Sequence, residues 1–249
     1  MVRSLLIRGM LVGLLAGLLA FAVAYIFGEP QVQKAIDYEG ALAAAAGEAG
    51  GEPLVSRGVQ RSIGLATGTI ALGVALGGMF ALVYAYAYGR ISVKGARSTA
   101  AALALTGFVT ITLVPFTKYP ASPPALNADD TIDRRTLLFF AMVAISMLAF
   151  VGAARIRREF LDRLGPWNAA ILAGVTFIAV IVVAQLILPA VHETPATYPA
   201  DVMYRFRVAS LAISATLWAT IGLAFGAAAE RLLAPVAARR SAPAGAEPA

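Results

Sequence analysis

The sequence predicts an all-α integral membrane protein, a bundle of about six transmembrane helices with both termini in the cytoplasm. Three observations carry this prediction. Of the 249 residues, 59% are hydrophobic and only 14% are charged, whereas soluble domains carry about 25% charged residues. Several apolar runs are long enough to cross the hydrocarbon core of a bilayer, which takes about 20 helical residues. The lysines and arginines concentrate in alternate loops, which is typical of cytoplasmic loops.

The apolar runs are predicted to be helices because an isolated strand in lipid would leave its backbone groups unpaired. The six runs cover residues 5–27, 63–88, 99–116, 136–154, 169–188 and 208–229. We expect them to form one polytopic membrane domain over residues 1–234. Residues 28–62 are expected to form an outer loop with an amphipathic helix, and the Ala/Pro-rich tail at 235–249 is expected to be disordered.

The first run has two interpretations. Arg3 and Arg8 precede an apolar core with small-residue cleavage sites, which is typical of a signal peptide. Gly9, Gly13 and Gly17 are spaced by four, which favours a retained helix that packs closely against another. Both alternatives stay open, and cleavage would leave five spans without changing the side that each remaining loop faces. Similar glycine spacing recurs at Gly64, Gly68, Gly73, Gly77, Gly222 and Gly226.

The charges differ between the two sides of the predicted bundle. Twelve of the 20 lysines and arginines fall in the termini and in the second and fourth loops. Ten of the 14 acids fall in the other three loops. The basic side is predicted to be cytoplasmic. An acidic outer mouth would concentrate cations, although an insertion signal alone would produce the same bias.

Several function classes are excluded or disfavoured. The chain has no cysteine, so disulfides and thiolate metal sites are excluded. It has no phosphate-binding GxxxxGK[ST] loop, and no spacing matches a catalytic motif, so we expect neither an enzyme nor a permanently bound cofactor nor a nucleic-acid partner. Within the spans, Gln185 is the one strongly polar side chain near a helix middle, whereas ion-coupled pumps usually keep an acid or base there.

The unusual polar residues lie in three stretches that the predicted topology places on the outer side. Glu29 stands at a helix start before Pro30, near free amides that favour its charge. His192 and Glu193 form an imidazole–carboxylate pair of the kind that ligates divalent first-row metals. The prolines of "KYPASPPA" stiffen a loop that begins at Lys118. The candidate metal ligands are Glu29, Glu39, His192, Glu193 and Asp201, and the candidate vestibule residues around them are Lys118, Tyr119 and Tyr198.

Each of these features also has a plainer interpretation. A lone histidine beside a loop acid is often only solvated. Asp129 or Asp130 would suit a helix cap, and Asp133 would suit a surface ion pair. The "YRFR" stretch, which ends at Arg207, is typical of aromatic and basic anchors at the lipid interface. The sequence alone leaves these alternatives open.

Several blocks together resemble one family. "GEP" and "AIDYE" are followed by "VSRGVQRSIGL", "KYPASPPA", "DTIDRRT" and "YPADVMYRFRVASL", and then by Leu217-Trp218. These blocks are similar to the CbtA family of proposed cobalt transporter subunits, from the first span to about Gly226. The resemblance implies a bacterial inner-membrane protein with the cobalt ion as substrate, in a system that often supplies vitamin B12 synthesis.

The resemblance also implies a partner. Members of the family are typically accompanied by a small CbtB-type subunit with one span and a histidine-rich end. Such a partner would suit a chain with one histidine and no cysteine, and a homo-oligomer is left open. The leading hypothesis is therefore a subunit of a divalent-cation uptake system with an outer polar vestibule. The alternative is a non-conducting accessory or scaffold that hands metal to a partner; a membrane enzyme ranks below both.

Overall fold

The computed structural model describes residues 1–47, 55–90, 95–123, 129–191, 195 and 197–241. These residues contain helices and no strand, which confirms the all-α prediction. The helices are α1 Val2–Val23, α2 Glu29–Ala45, α3 Arg57–Val59, α4 Leu65–Ala87, α5 Ala96–Gly107, α6 Val114–Lys118, α7 Asp129–Ile187 and α8 Ala200–Ser241. Single π-helical turns at Ala24–Gly28, Gln60–Gly64 and Phe108–Leu113 join α1 to α2, α3 to α4 and α5 to α6.

Five helices within the described residues are long and apolar enough to cross a membrane. They are Val2–Ala45, Arg57–Ala87, Ala96–Lys118, Ile132–Ile187 and Ala200–Ala234. The fourth consists of two helices, because Gly165 has φ 74° and ψ 167°, values outside the helical region. Pro166 then suits the first turn of the second helix. With the break counted, each of the six predicted runs lies on its own helical segment.

The first helix and α8 both extend past their predicted boundaries. The first helix continues through the π turn at Ala24–Gly28 into α2 and covers 44 residues, whereas the sequence predicted a span that ends at residue 27. Helix α8 continues to Ser241, past the predicted start of the tail, and residues 242–249 lie outside the described residues.

The chain divides into two compact units. Unit 1 contains Met1–Tyr25, Val55–Thr106 and Ile213–Ala249, and unit 2 contains Ile26–Leu54 and Gly107–Ala212. Unit 1 therefore holds α1, α3, α4, nearly all of α5 and most of α8. Unit 2 holds α2, α6, α7 and the first turns of α8.

In unit 1, α1 packs antiparallel against α4 through facing glycines. A Cβ atom on Gly13 would lie 2.2 Å from the carbonyl oxygen of Gly73, and one on Gly9 would lie 2.4 Å from that of Gly77. A Cβ on Gly17 would lie 2.7 Å from the Cα of Ile70. The two backbones are thus closer than any side chain allows, which is the small-residue packing typical of membrane helices.

Helix α8 uses the same device against α5. A Cβ on Gly222 would lie 2.5 Å from the Cβ of Ala104, and one on Gly226 would lie 3.1 Å from the Cα of Arg97. One turn further along α8, Glu230 forms an ion pair with Arg97, with 2.7 Å between the Glu230 Oε2 and the Arg97 Nε. The predicted role of the glycines in helix packing is confirmed at these positions. Gly68 has no atom within 4 Å of its Cβ position, so it has no such role.

Unit 2 is built on a helical hairpin. The two halves of α7, residues 129–164 and 166–187, fold back at Gly165. The buried cluster joins Met142 and Ala149 of the first half to Ile181 and Ala184 of the second. Val114 of α6 and Tyr119 lie in the same cluster, so α6 docks onto this hairpin.

The π turn before α6 is stabilised from the hairpin. Ser146 of α7 is fully buried, and its hydroxyl contacts the carbonyl oxygens of Thr110 and Val143. A π turn takes carbonyl groups out of α-helical register. The Ser146 hydroxyl therefore supplies a hydrogen bond to Thr110 in the interior, where water does not reach it.

Candidate functional site

Lys118 joins the ends of two helices in unit 2. Its ammonium donates a hydrogen bond of 2.8 Å to the carbonyl oxygen of Gln185. Gln185 lies in the last turn of α7, so its predicted position near a helix middle is wrong. In return, the Gln185 Nε2 donates to the Thr117 Oγ1 at 2.6 Å. A cation at the C-terminus of a helix is favourable because unpaired carbonyls carry partial negative charge there. Lys118 therefore connects the end of α6 to the end of α7.

Tyr119 anchors the start of the proline-rich loop. Its side chain is only 4% exposed and packs in the hydrophobic cluster of the hairpin. The phenol donates a 2.8 Å hydrogen bond to the carbonyl oxygen of Pro189. Burial raises the pKa of Tyr119, and the positive charge of Arg134 opposes the rise only in part. The phenol is therefore neutral at physiological pH and acts as a hydrogen-bond donor.

Two arginines bind the backbone of this loop. Arg135 of α7 donates from Nη2 to the carbonyl oxygen of Pro120. Arg207 of α8 donates from Nε to the carbonyl oxygen of Ala121, at 3.4 Å. With Lys118, these residues place three basic side chains around the first residues of the loop. The loop is thus a basic junction of α6, α7 and α8.

A second contact joins α2 to the start of α8. Ala35 packs against Tyr198, Val202 and Met203 in a buried cluster. The rings of Tyr38 and Tyr198 meet edge to face with centroids 5.0 Å apart, and the hydroxyls of Tyr38 and Thr197 share a 2.6 Å hydrogen bond.

The environment of Tyr198 keeps its phenol protonated. Its pKa is raised first by burial and then by Tyr38 and by the negative charge of Asp201. A protonated phenol is a weak ligand for a metal ion, because metal-bound tyrosine is generally a phenolate. Tyr198 is therefore suited to hydrogen bonding with the groups around it.

The predicted acidic ligands lie on the same two elements. Glu29 is half-buried between Gly28 and Pro30. The expected helix start with free amides at Glu29 is wrong, because the helix continues from α1 through the π turn into α2. Glu39 and Asp201 are exposed. His192 and Glu193 lie outside the described residues. Over the described part of the chain, no three His, Asp or Glu residues come close enough together to hold a metal ion, so the ligand set stays a prediction.

The three polar stretches predicted for the outer side all belong to unit 2. The loop that begins at Lys118 contacts α8 through Arg207. Val202 and Met203 of α8, with the preceding Tyr198, share a buried cluster with Ala35 of α2. Arg207, for which an anchor at the lipid interface was one interpretation, donates to the backbone of the loop.

Sequence reasoning missed two of the polar residues in this region. Gln31 is buried on α2, and Arg135 binds the loop backbone. The spacing of Gln31 and Ala35 by one helical turn is the signal that would have placed Gln31 on the packed face of α2. Nothing in the sequence pairs Arg135 with Pro120, because that contact depends on how α7 docks.

The fold and this polar region define a multi-pass helical membrane protein whose polar side chains gather at helix ends. The family model described as "Probable cobalt transporter subunit (CbtA)" matches residues 2–230. The chain therefore belongs to the CbtA family of cobalt transporter subunits. Neither curated proteins nor solved structures gave a significant match to the chain.

Proposed function

We propose that this chain is the membrane-embedded subunit of a cobalt(II) uptake system in the bacterial inner membrane. Family membership supports the cargo, and the basic loops support a cytoplasmic location for both termini. The chain has no native cysteine, so single-cysteine variants test the orientation. An impermeant maleimide should label Glu39→Cys, and not Arg163→Cys, on the outside of intact spheroplasts; the reverse pattern contradicts the proposal.

The contact between α2 and the start of α8 carries the proposal of an outer vestibule. Helix α2 bears Glu29 and Glu39, the start of α8 bears Asp201, and the two elements pack through Ala35 and Tyr198. Carboxylates attract cations, and carboxylate and imidazole groups bind divalent first-row metals. His192 and Glu193 precede Tyr198 by only a few residues in the sequence. We include all five predicted ligands in the proposed vestibule.

Lys118, Tyr119 and Tyr198 are proposed to shape the vestibule without ligating the ion. The two phenols are held protonated by burial, and the Lys118 ammonium is engaged by the carbonyl oxygen of Gln185. Because Arg135 and Arg207 lie beside the loop, the ion should approach along the acidic α2 side and be repelled from the loop side.

A partner is proposed to complete the system. The chain contains one histidine and no cysteine, a small supply of the nitrogen and sulfur ligands that hold cobalt tightly. A small CbtB-type subunit with a histidine-rich end would add imidazoles. In this scheme cobalt is a substrate that passes through unchanged, and the chain catalyses no reaction.

A second candidate function is a non-conducting accessory that hands metal to its partner. One observation favours it: strongly polar groups at the ends of the spans form hydrogen bonds that join one helix to another. The side chain of Gln185 binds Thr117, and its carbonyl oxygen binds Lys118. Groups used in this way are less available to carry an ion across the bilayer.

Reconstitution into liposomes separates the two functions. The purified chain, with and without the histidine-rich partner, is placed in vesicles that contain a cobalt-quenched fluorescent chelator, and CoCl₂ is added outside. Quenching that depends on the chain supports a conducting subunit. Cobalt binding without quenching, even with the partner present, supports the accessory and contradicts the conducting role.

Variants then test the vestibule. Glu29→Gln and His192→Ala should each lower cobalt uptake several-fold at equal membrane abundance, because each removes a proposed ligand. Glu159→Gln is the matched control, since Glu159 is an exposed acid of α7 between two predicted spans, on the side assigned to the cytoplasm. Wild-type uptake in both ligand variants would refute the vestibule and leave the transport function standing.

A further inference from the structure

The backbone hydrogen bonds of unit 2 change partners at the π turn Phe108–Leu113. In an α-helix the carbonyl oxygen of Thr110 would accept from the amide of Val114, four residues later. That amide instead donates to the carbonyl oxygen of Val109, five residues back, which is the π pattern. The next position belongs to Pro115, which has no N–H group. Neither the fourth nor the fifth residue after Thr110 therefore supplies a backbone donor to its carbonyl oxygen.

The hydroxyl of Ser146 replaces the missing donor. The Ser146 Oγ contacts the carbonyl oxygens of Thr110 and Val143, the second at 2.8 Å. The contact with Val143 lies within α7 and is ordinary for a serine in a helix, whereas the contact with Thr110 joins α7 to the π turn. Ser146 is 0% exposed and Thr110 is 3% exposed, so water is not available in place of the hydroxyl.

This segment has two possible registers, and Ser146 favours one of them. Without the π turn, the amide of Val114 would return to Thr110, and Pro115 would face the carbonyl oxygen of Ile111 without an amide to offer. Each register thus leaves one carbonyl without a backbone amide: that of Thr110 in the π register and that of Ile111 in the α register. The Ser146 hydroxyl satisfies the first. One hydrogen bond shifts the balance between two such states by about tenfold.

The register decides which residues of α6 meet the end of α7. In the π register the Thr117 Oγ1 accepts a 2.6 Å hydrogen bond from the Gln185 side chain, and Lys118 donates one of 2.8 Å to the Gln185 carbonyl oxygen. Removing the extra residue of the π turn would rotate α6 by about 100° and shift it by about 1.5 Å. Phe116 would then take the position of Thr117, and both hydrogen bonds to Gln185 would be lost.

We propose that Ser146 is a positioning residue that holds the π register, and that its release lets α6 turn away from the end of α7. The inference rests on the proposed function, because Lys118 and its loop are proposed to shape the vestibule. In the π register the loop is fixed to α7 through Lys118. In the α register Lys118 leaves Gln185, and this change is the movement that opens the loop side of the vestibule during cobalt uptake.

The first test measures the register by disulfide formation in the purified full chain, which has no native cysteine. Thr117→Cys with Gln185→Cys reports the π register, and Phe116→Cys with Gln185→Cys reports the α register. Both pairs keep the bond from Lys118, because its acceptor is the backbone of residue 185. The ratio of the initial cross-linking rates, α pair over π pair, should rise about tenfold when Ser146→Ala is added, the equivalent of one hydrogen bond.

A second variant and a matched control accompany Ser146→Ala. Pro115→Ala restores an amide and removes the clash of the proline ring in the α register, so it should raise the ratio by more than Ser146→Ala does. It lies on a different element and keeps the test decisive if Ser146→Ala does not fold. Thr176→Ala is the control, because the Thr176 hydroxyl, also on α7, donates to Leu172 of its own helix at 2.8 Å. It should leave the ratio unchanged.

The second test asks whether uptake uses the change of register. Oxidation fixes the Thr117→Cys, Gln185→Cys chain in the π register, so proteoliposomes that contain it and the histidine-rich partner should lose cobalt uptake. Reduction, followed by removal of the reductant, should restore uptake. The single variant Thr117→Cys, treated in the same way, should take up cobalt throughout.

Three outcomes overturn the inference. One is an unchanged cross-linking ratio in both Ser146→Ala and Pro115→Ala. Another is an equal rise in Thr176→Ala, which would reduce Ser146 to a residue that only stabilises the fold. The third is full cobalt uptake by the oxidised pair. If the reduced chain takes up no cobalt while the ratio still depends on Ser146, the proposed function fails together with the role in uptake, and the control of the register by Ser146 stands.

Discussion

The glycine contact between α1 and α4 gives the most direct test of the structure. We consider Gly13→Ala. The new methyl carbon would lie 2.2 Å from the carbonyl oxygen of Gly73 and 3.0 Å from the Cα of Val74. Both of these are backbone atoms, so no side chain can rotate away. Ordinary contact begins at about 3.5 Å, so the two helices must move apart by about 1 Å locally.

The expected loss follows from two opposing effects. Overpacking of a close-packed interior costs about 1–3 kcal/mol. Replacing glycine by alanine within a helix stabilises the helix by up to about 1 kcal/mol, because alanine has the higher helix propensity. A net destabilisation of about 1–2 kcal/mol is therefore expected. For a chain of this length it corresponds to a fall in Tm of about 2–8 °C.

The assay is thermal unfolding in detergent, followed by circular dichroism. Gly68→Ala is the matched control, because Gly68 lies on α4 and its Cβ position has no atom within 4 Å. It should leave Tm unchanged or raise it slightly through helix propensity. Gly13→Ala and Gly73→Ala should be less than additive when combined, since each forces the same two backbones apart. A Tm for Gly13→Ala equal to that of Gly68→Ala, or full additivity, would refute the contact.

Two further predictions concern the junction at the proline-rich loop. Lys118→Met should lower the free energy of unfolding by about 1–2 kcal/mol, because it removes a charge-assisted hydrogen bond to a helix end. Lys118→Arg should retain most of the stability, and Lys34→Met, at an exposed lysine, should leave Tm unchanged. Equal Tm values for the two methionine variants would contradict the role of Lys118 in joining the helix ends. The raised pKa of Tyr119 means that the unfolded state loses its phenol proton first, so stability should fall as pH rises above about 10. In Tm measurements from pH 8 to 11, Tyr119→Phe should therefore show a shallower fall than wild type, and parallel curves would count against the buried phenol.

The membrane spans were predictable because the constraint on them is local. Lipid offers no hydrogen bonds to a backbone, so an apolar run of sufficient length must be a helix whatever its neighbours do. All six predicted runs lie on helical segments, and the break at Gly165 falls between two of them, as expected. The extension of the first helix through Ala24–Gly28 into α2 was not predicted, because the sequence gives no local signal that Pro30 continues a helix through a π turn.

The candidate site was predictable only at the level of segments. The sequence singled out Lys118, Tyr119 and Tyr198 by their position in polar stretches, and all three prove to make contacts inside unit 2. It did not show that Lys118 binds Gln185, since the two are far apart in the chain. It also passed over Gln31, which is buried on α2 by tertiary packing that a local pattern does not encode.

By itself, the sequence determined that this protein is helical, crosses the membrane several times and belongs to the CbtA family, since composition and motif order do not depend on packing. It also marked which glycines were spaced for close contact. Only the tertiary structure decided that Gly13 faces Gly73, while no described residue lies within 4 Å of the Cβ position of Gly68. The same is true of Lys118, which joins two helix ends, and of the packing of Ala35 against Tyr198. Such pairings depend on the distance between atoms remote in the chain, and no local pattern encodes that distance.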